Sequence, residues 1–183
     1  MKLHVGCGSV YTPGFTHFDI QKFDHVDVVG DAQNLSLYFD PDSVELIYAC
    51  QVLQYFDHRH TQEVLEDWFK VLCPGGTLRI STPNFATMVK MYNSGLNVNW
   101  FLGSLFGRIP SDQGYLYHRT TFDEPALRKF LIQAGYIDIE WWDWRLTDHC
   151  DIDDFSQAYF PHMEKERGVL WNLNLTAVKP FGS

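Results

Sequence analysis

Short apolar runs broken by polar turns dominate the chain, with two longer stretches of helical spacing among them. Leu3-His4-Val5 is apolar and stops at Gly6-Cys7-Gly8, the pattern of a buried strand entering a tight turn. A second apolar stretch, residues 15–18, closes on Asp19, and a third, residues 26–29, ends at Gly30-Asp31-Ala32. After the turn at residues 40–43, residues 44–50 predict a fourth strand and residues 77–82 a fifth, ended by Pro83. Between these two, residues 61–72 place Val64, Leu65, Trp68, Phe69, Val71 and Leu72 on one helical face, with Thr61 as N-cap and Pro74-Gly75-Gly76 as the stop. A second amphipathic helix is expected over residues 123–134, with Asp123 as N-cap, Pro125 in the first turn and Gly135 as C-cap. Residues 137–141 alternate like a half-buried strand, and residues 172–178 predict the last one.

Strands alternating with helices predict an α/β fold with a mostly parallel sheet and crossover connections. No repeat or linker divides the chain, so residues 1–183 are expected to form a single domain. Residues 85–118 are the irregular part, rich in Met, Trp, Phe and Leu and interrupted by glycines at 95, 103, 107 and 114. They predict one or two short helices over the carboxyl edge of the sheet, as a lid or substrate insert. A packing insert without a substrate role would have the same composition.

The chemistry concentrates at the first turn. A glycine turn after one strand and a carboxylate ending the next is how open α/β sheets hold a nucleoside, the carboxylate accepting from ribose hydroxyls. Gly6, Gly8 and Asp19 supply those elements, although a hairpin turn would use the same glycines. The third glycine of the dinucleotide fingerprint is replaced by Tyr11, and no Gly-Lys-Ser/Thr follows. The expected ligand therefore lacks a pyrophosphate.

Bulk composition narrows the class. With 183 residues, 45% hydrophobic and 16% aromatic, the chain can build a full core. No apolar run reaches the roughly 18 residues of a membrane span, and the strand from Leu3 breaks at Gly6, so neither a membrane partner nor a signal peptide is expected and the reading is cytoplasmic. Four cysteines lie far apart without a Cys-x-x-Cys pair, which suggests neither a zinc knuckle nor a disulfide framework. A net charge of −9 without a basic run disfavours nucleic acid and shifts the expected partner towards a small-molecule or glycan substrate.

In order along the chain, LHVGCG, FDI, GDAQNL, ELIYACQVLQYF and VLCPGGTLRISTPN resemble the successive motifs of class I S-adenosylmethionine-dependent methyltransferases. The likeness covers residues 3–84, with the helix and strand at 119–141. The tail FSQAYFPHMEKERGVLWNLNLTAVKP resembles a compact branch of these enzymes associated with sugar and envelope functions. The resemblance implies a seven-stranded, Rossmann-like, mostly parallel sheet with helices on both faces and an insert after the fifth strand. It implies S-adenosylmethionine as cofactor, with Gly6, Cys7 and Gly8 beside its methionine part, Asp19 on the ribose hydroxyls and Ile20 against the adenine. Asp31 matches the acid that accepts the adenine amino group, with Ala32 and Leu35 beside it, and Cys50 and Gln51 match the segment near the methionine amino group. Asp31 could instead be a turn-forming residue after a strand.

Two departures stand out. Pro13-Gly14 leaves the first helix reduced, and Leu53-Gln54-Tyr55 stands where many relatives have Leu-Glu-His. These features keep alternatives open: a non-catalytic cofactor-binding protein, or an enzyme using the cofactor for a reaction other than methylation. A base is needed where a hydroxyl is methylated, and His118, between the insert and the next helix, is the catalytic candidate. It could equally cap that helix or anchor the insert. Asp148-His149-Cys150-Asp151 and the acids after it, with His162 nearby, hold metal-ligand chemistry without a defensible spacing, so a solvated acidic loop and no metal are expected. His58 and His60 are expected at the surface.

Overall fold

A computed structural model describes residues 1–111, 114–162 and 164–182. Strands β1 (Lys2–Val5), β2 (Thr16–Asp19), β3 (Val28–Val29), β4 (Val44–Cys50) and β5 (Leu72–Pro83) are joined by β8 (Ile137–Trp141) and β11 (Asn172–Val178) in one sheet, ordered β3-β2-β1-β4-β5-β11-β8. The pairs among β1 to β5 are parallel, and β11 runs antiparallel to both β5 and β8. Strand order reverses between β1 and β4. Such a reversal opens a crevice at the carboxyl ends, where ligands of open α/β sheets bind.

Alternation along the strands sorts the core. Leu3, Val5, Phe18, Ile47, Leu78, Ile80 and Leu175 pack on one face against Leu65 and Trp68 of α1 (Thr61–Val71) and Leu127 and Leu131 of α4 (Glu124–Gln133). A 3-10 turn, Ala32–Leu37, joins this layer: Trp68 Nε1 donates to the Ala32 carbonyl at 2.7 Å, and Leu35 is fully buried. Each such large apolar side chain contributes about 1.5–3 kcal/mol by burial.

The opposite face differs from the expectation of helices on both sides. His4, His17, Tyr48, Ser81 and Asn174 are buried there, beneath an irregular cover with 3-10 turns at Trp144–Leu146 and Phe155–Gln157. Tyr48 donates to Asp154, and Asn174 Nδ2 donates to the Ser156 carbonyl at 2.9 Å. The expected solvated acidic loop keeps Asp148, Asp151 and Asp153 exposed, while its His149 is buried on this face, with its ring centroid 4.4 Å from that of Tyr48. No helix forms between Gly8 and β2. Pro13 and Gly14 (φ 81) break the segment, and Thr12 is pinned below it, donating its N–H to His17 Nε2 at 2.9 Å with its hydroxyl 3.1 Å from His4 Nδ1.

Other elements shift from expectation. β5 starts at Leu72 rather than Thr77, because Pro74-Gly75-Gly76 is absorbed as a bulge: the register with β4 slips between Val44 and Leu46. His60, not Thr61, occupies the α1 N-cap position, and the Thr61 hydroxyl donates instead to the Asp57 carbonyl. Asp123 does cap α4, accepting from Ala126 N at 2.9 Å. The insert, of which residues 112 and 113 lie outside the described residues, holds α2 (Phe85–Asn93), a 3-10 turn (Val98–Trp100), α3 (Leu102–Phe106) and an unforeseen hairpin of β6 (Gly107–Ser111) and β7 (Gly114–Tyr117). A second small hairpin pairs β9 (Tyr159–Phe160) with β10 (Val169–Leu170). Among the described residues, no helix is long and apolar enough to cross a membrane.

Candidate active site

The carboxyl ends of β1, β2 and β3 bring Gly6–Gly8, Asp19 and Asp31 to one edge of the sheet. Asp19 is nearly buried; its Oδ2 accepts from Gly8 N and its Oδ1 from Gln21 N, both at 2.8 Å. Ile20, next in the chain, is exposed. Gly8 adopts φ 53, and a Cβ there would meet open space, so the turn presents bare backbone to the crevice. These features fit a nucleoside: a fixed carboxylate for hydroxyls, an exposed aliphatic surface beside it, and a turn without side-chain obstruction.

The remaining expected residues divide. Asp31 caps the 3-10 turn after β3, its Oδ1 accepting from Gln33 N at 2.9 Å and its Oδ2 from Gln33 Nε2 at 3.2 Å. It stays partly exposed at the same edge. The Ala32 carbonyl is engaged by Trp68, and Leu35, expected beside Asp31, lies wholly in the core. Cys7 is buried, and burial, reinforced by the Asp19 charge, pushes its thiol up to about 12; it stays protonated. The Cys50 thiol is likewise pushed up, by burial and then by Asp154, whose charge acts from the polar face of the sheet. Only the Cys50 backbone is left for the crevice.

Gln51 follows β4 in the left-handed region, φ 61, which costs a non-glycine residue of order 1 kcal/mol or more. Its N–H donates to the Ser81 carbonyl at 2.8 Å, and its Oε1 accepts from Gln54 Nε2 at 2.8 Å. Gln54 is itself buried and oriented by Thr82, whose hydroxyl donates to Gln54 Oε1 at 3.1 Å. Gln54 therefore acts through Gln51, and the Gln51 Nε2 group is left buried without a partner.

Gln51 lies on the wall of a cavity of about 450 Å³. Tyr55 and His118 line it, with Trp100 and Gly107 from the insert and Phe160 and Trp171 from the tail. The insert and tail are locked together: Trp171 Nε1 donates to Ser104 Oγ at 2.8 Å, and Phe101 stacks on Trp171 with centroids 5.9 Å apart and planes 5° from parallel. The sequence reading weighed His162 only beside the acidic loop and did not place it, Tyr159, Phe160 or Trp171 at this cavity. Their signal was the aromatic density of Phe155, Tyr159, Phe160 and Trp171.

His118 Nδ1 lies 2.9 Å from the Ser104 carbonyl, which can only accept, so Nδ1 carries the proton and Nε2 presents a lone pair. Burial lowers the pKa of the ring, partly offset by that hydrogen bond, so it is neutral near pH 7. Gly107 makes room: a Cβ there would sit 3.0 Å from His118 Nε2. Tyr55 meets the ring edge-on, centroids 4.9 Å apart, and burial, then the Asp19 charge, raises its hydroxyl to about 12. Tyr55 thus stands between the Asp19 edge and the cavity. His58 and His60 are exposed. Among the described residues, no group of three or more His, Cys, Asp or Glu is placed to hold a metal ion.

Residues 11–80 match the model of the methyltransferase domain family. No curated protein matches the chain. Among solved structures, the chain is similar to a putative methyltransferase of Haloferax volcanii in complex with a methyltransferase activator, at 20% identity and TM-score 0.57 over 97% of this chain and 81% of that one. It is similar to a methyltransferase of Methanosarcina mazei dependent on S-adenosylmethionine, at 14% identity and TM-score 0.56 over 98% of this chain and 92% of that one. A Thermotoga maritima methyltransferase described as possibly acting on histamine matches at 12% identity and TM-score 0.57 over 97% of this chain and 81% of that one. The fold is that of the class I methyltransferases. The match over residues 11–80 and the shared fold together support an enzyme that uses S-adenosylmethionine as its cofactor.

Proposed function

We propose that the chain methylates a small-molecule or glycan acceptor held in the 450 Å³ cavity, with residues 85–118 as the lid of a single domain spanning residues 1–183. The observation that carries this reading is the shared edge of the two sites: Gln51 and Tyr55 line the cavity, and Tyr55 feels the charge of Asp19. Gly6, Cys7 and Gly8 would carry the methionine part of the cofactor, Asp19 the ribose hydroxyls, Ile20 the adenine face and Asp31 its amino group, with the Cys50–Gln51 backbone beside the amino acid end.

When bound, S-adenosylmethionine would supply an electrophilic methyl group for the acceptor oxygen. The protein aligns the acceptor, which can contribute up to about 7–11 kcal/mol in favourable cases, and takes the hydroxyl proton on His118 Nε2. The insert and tail exclude water from an aromatic-walled space.

Calorimetric titration with S-adenosylhomocysteine, followed by incubation with methyl-labelled S-adenosylmethionine and a panel of acceptors, tests this. Binding with label transfer supports the reading. Binding with neither transfer nor cofactor cleavage favours the non-catalytic alternative, for which Gln54-Tyr55 and the missing first helix speak. Cleavage without transfer favours a different reaction of the same cofactor.

A further inference from the structure

The cavity has three properties that together select its guest. Among the described residues, its walls contain no carboxylate, ammonium or guanidinium, although the chain has 14 Lys and Arg and 23 Asp and Glu. An ionised group entering it would lose hydration without meeting a counter-charge. One wall is a run of rings: Trp100 and Phe160 meet at a centroid distance of 5.4 Å, and Phe160 and Trp171 at 5.8 Å. Such a wall rewards a guest with a flat apolar face. Besides Tyr55, Tyr159, His162 and Asn172, which also line the cavity, two polar side chains are oriented there by their neighbours. The Gln51 Nε2 group is a buried donor without a partner, its oxygen already held by Gln54, and His118 Nε2 is an acceptor with its other nitrogen held by Ser104.

A donor and a lone-pair acceptor are complementary to a neutral hydroxyl, whose oxygen takes the amide hydrogen and whose proton faces the imidazole. A protonated amine offers only donors, so it would leave the Gln51 hydrogens unpaired; a carboxylate offers only acceptors, so it would oppose the His118 lone pair. Resting on the methyl-transfer reading, we infer that the group entering this cavity is an uncharged ring bearing a hydroxyl, and that Gln51 is the residue that selects it. A phenol and a neutral sugar share this chemistry, a sugar through the apolar face of its ring.

Saturation-transfer NMR and Trp fluorescence with the full chain saturated with S-adenosylhomocysteine read binding without turnover. The phenol arm is 4-hydroxybenzyl alcohol, 4-hydroxybenzoate and tyramine. The sugar arm is methyl α-D-glucopyranoside, methyl glucuronide and glucosamine. The neutral member of one arm should bind about tenfold or more tightly than both charged members, and the arm that binds identifies the source of the ring. In the arm that binds, the parent should also prefer the neutral hydroxyl compound over its deoxy analogue; Gln51→Leu should erase this second preference, and Gln51→Asn should restore part of it if the fold is intact by circular dichroism. Equal or tighter binding of a charged member overturns the inference, as does failure of both neutral rings to bind while S-adenosylhomocysteine does. Incubation with methyl-labelled S-adenosylmethionine, read separately, tests the methyl-transfer reading itself.

Discussion

The Asp19 carboxylate accepts the backbone N–H of Gly8 at 2.8 Å, so the acid that ends β2 also holds the turn that ends β1. One side chain fixes the glycine turn and faces the position expected for ribose hydroxyls. Asp19→Ala removes the acceptor for both Gly8 N and Gln21 N, and should lower both stability and S-adenosylhomocysteine affinity, each by about 1–3 kcal/mol. Calorimetry and thermal melting of the same variant read the two effects. A melting temperature that falls while affinity is unchanged would confine Asp19 to holding the turn, and a parent protein without heat at millimolar ligand would remove the cofactor site.

At Asp31, capping and ligand binding can be separated. Asn can cap Gln33 N with its side-chain oxygen as Asp does, so Asp31→Asn should keep the melting temperature and weaken S-adenosylhomocysteine less than Asp31→Ala does. The Ala variant loses the cap, at a cost of about 0.5–2 kcal/mol, together with the acceptor for an adenine amino group. If both variants bind like the parent, Asp31 serves the 3-10 turn alone.

How far the sequence revealed this arrangement depended on how local each signal was. β4, β8 and β11 fall on residues 44–50, 137–141 and 172–178 as the alternation of apolar residues predicts, and Asp123, Pro125 and Gly135 mark α4 through neighbours in sequence. The hairpin at Gly107–Tyr117 escaped because Pro110 and scattered glycines mask a strand period. The polar face of the sheet escaped for a different reason. His4, Tyr48, His149 and Asp154 come from distant parts of the chain, and only the fold brings His149 and Asp154 of the acidic loop onto the sheet. Gln54 read as a departure from a motif; its buried bonds to Gln51 and Thr82 show what the substitution does.

That polar face predicts sensitivity to acid. Burial lowers the His4 pKa from 6.5 to about 3, and the charges of His17, His149 and His25 add to the shift; Tyr48 and Phe15 rings and the Thr12 hydroxyl complete its surroundings. His17 and His149 are lowered as well, chiefly by burial. A histidine with a depressed folded pKa contributes stability that is fully present above the unfolded value, near 6.5, and is lost as pH falls towards the folded value. At pH 5 the unfolded chain holds a proton at His4 that the folded chain does not, a loss of about 2 kcal/mol from this residue alone. Urea unfolding at pH 7.5 and pH 5 should show it, and His4→Asn, which keeps a partner for Thr12 without titrating, should flatten the difference. An unchanged midpoint between the two pH values in the parent would contradict it.

His118 supports the last prediction because its two possible roles leave different traces. As the base for a hydroxyl acceptor it must be neutral, and burial lowers its pKa. Turnover should therefore stay level from pH 8 down to about the ordinary histidine value of 6.5 and fall only at more acidic pH. His118→Ala should lower turnover by about 10²–10⁴-fold and leave S-adenosylhomocysteine affinity nearly unchanged. As an anchor of the insert, His118 would act through its bond to the Ser104 carbonyl, and the same variant would lower the melting temperature with activity tracking the folded fraction. His118→Asn separates the two, since its amide can still donate to that carbonyl but makes a poor base. An Asn variant with parental stability and Ala-like turnover assigns the proton to His118, whereas one with parental turnover takes His118 out of the chemistry and leaves it holding the lid.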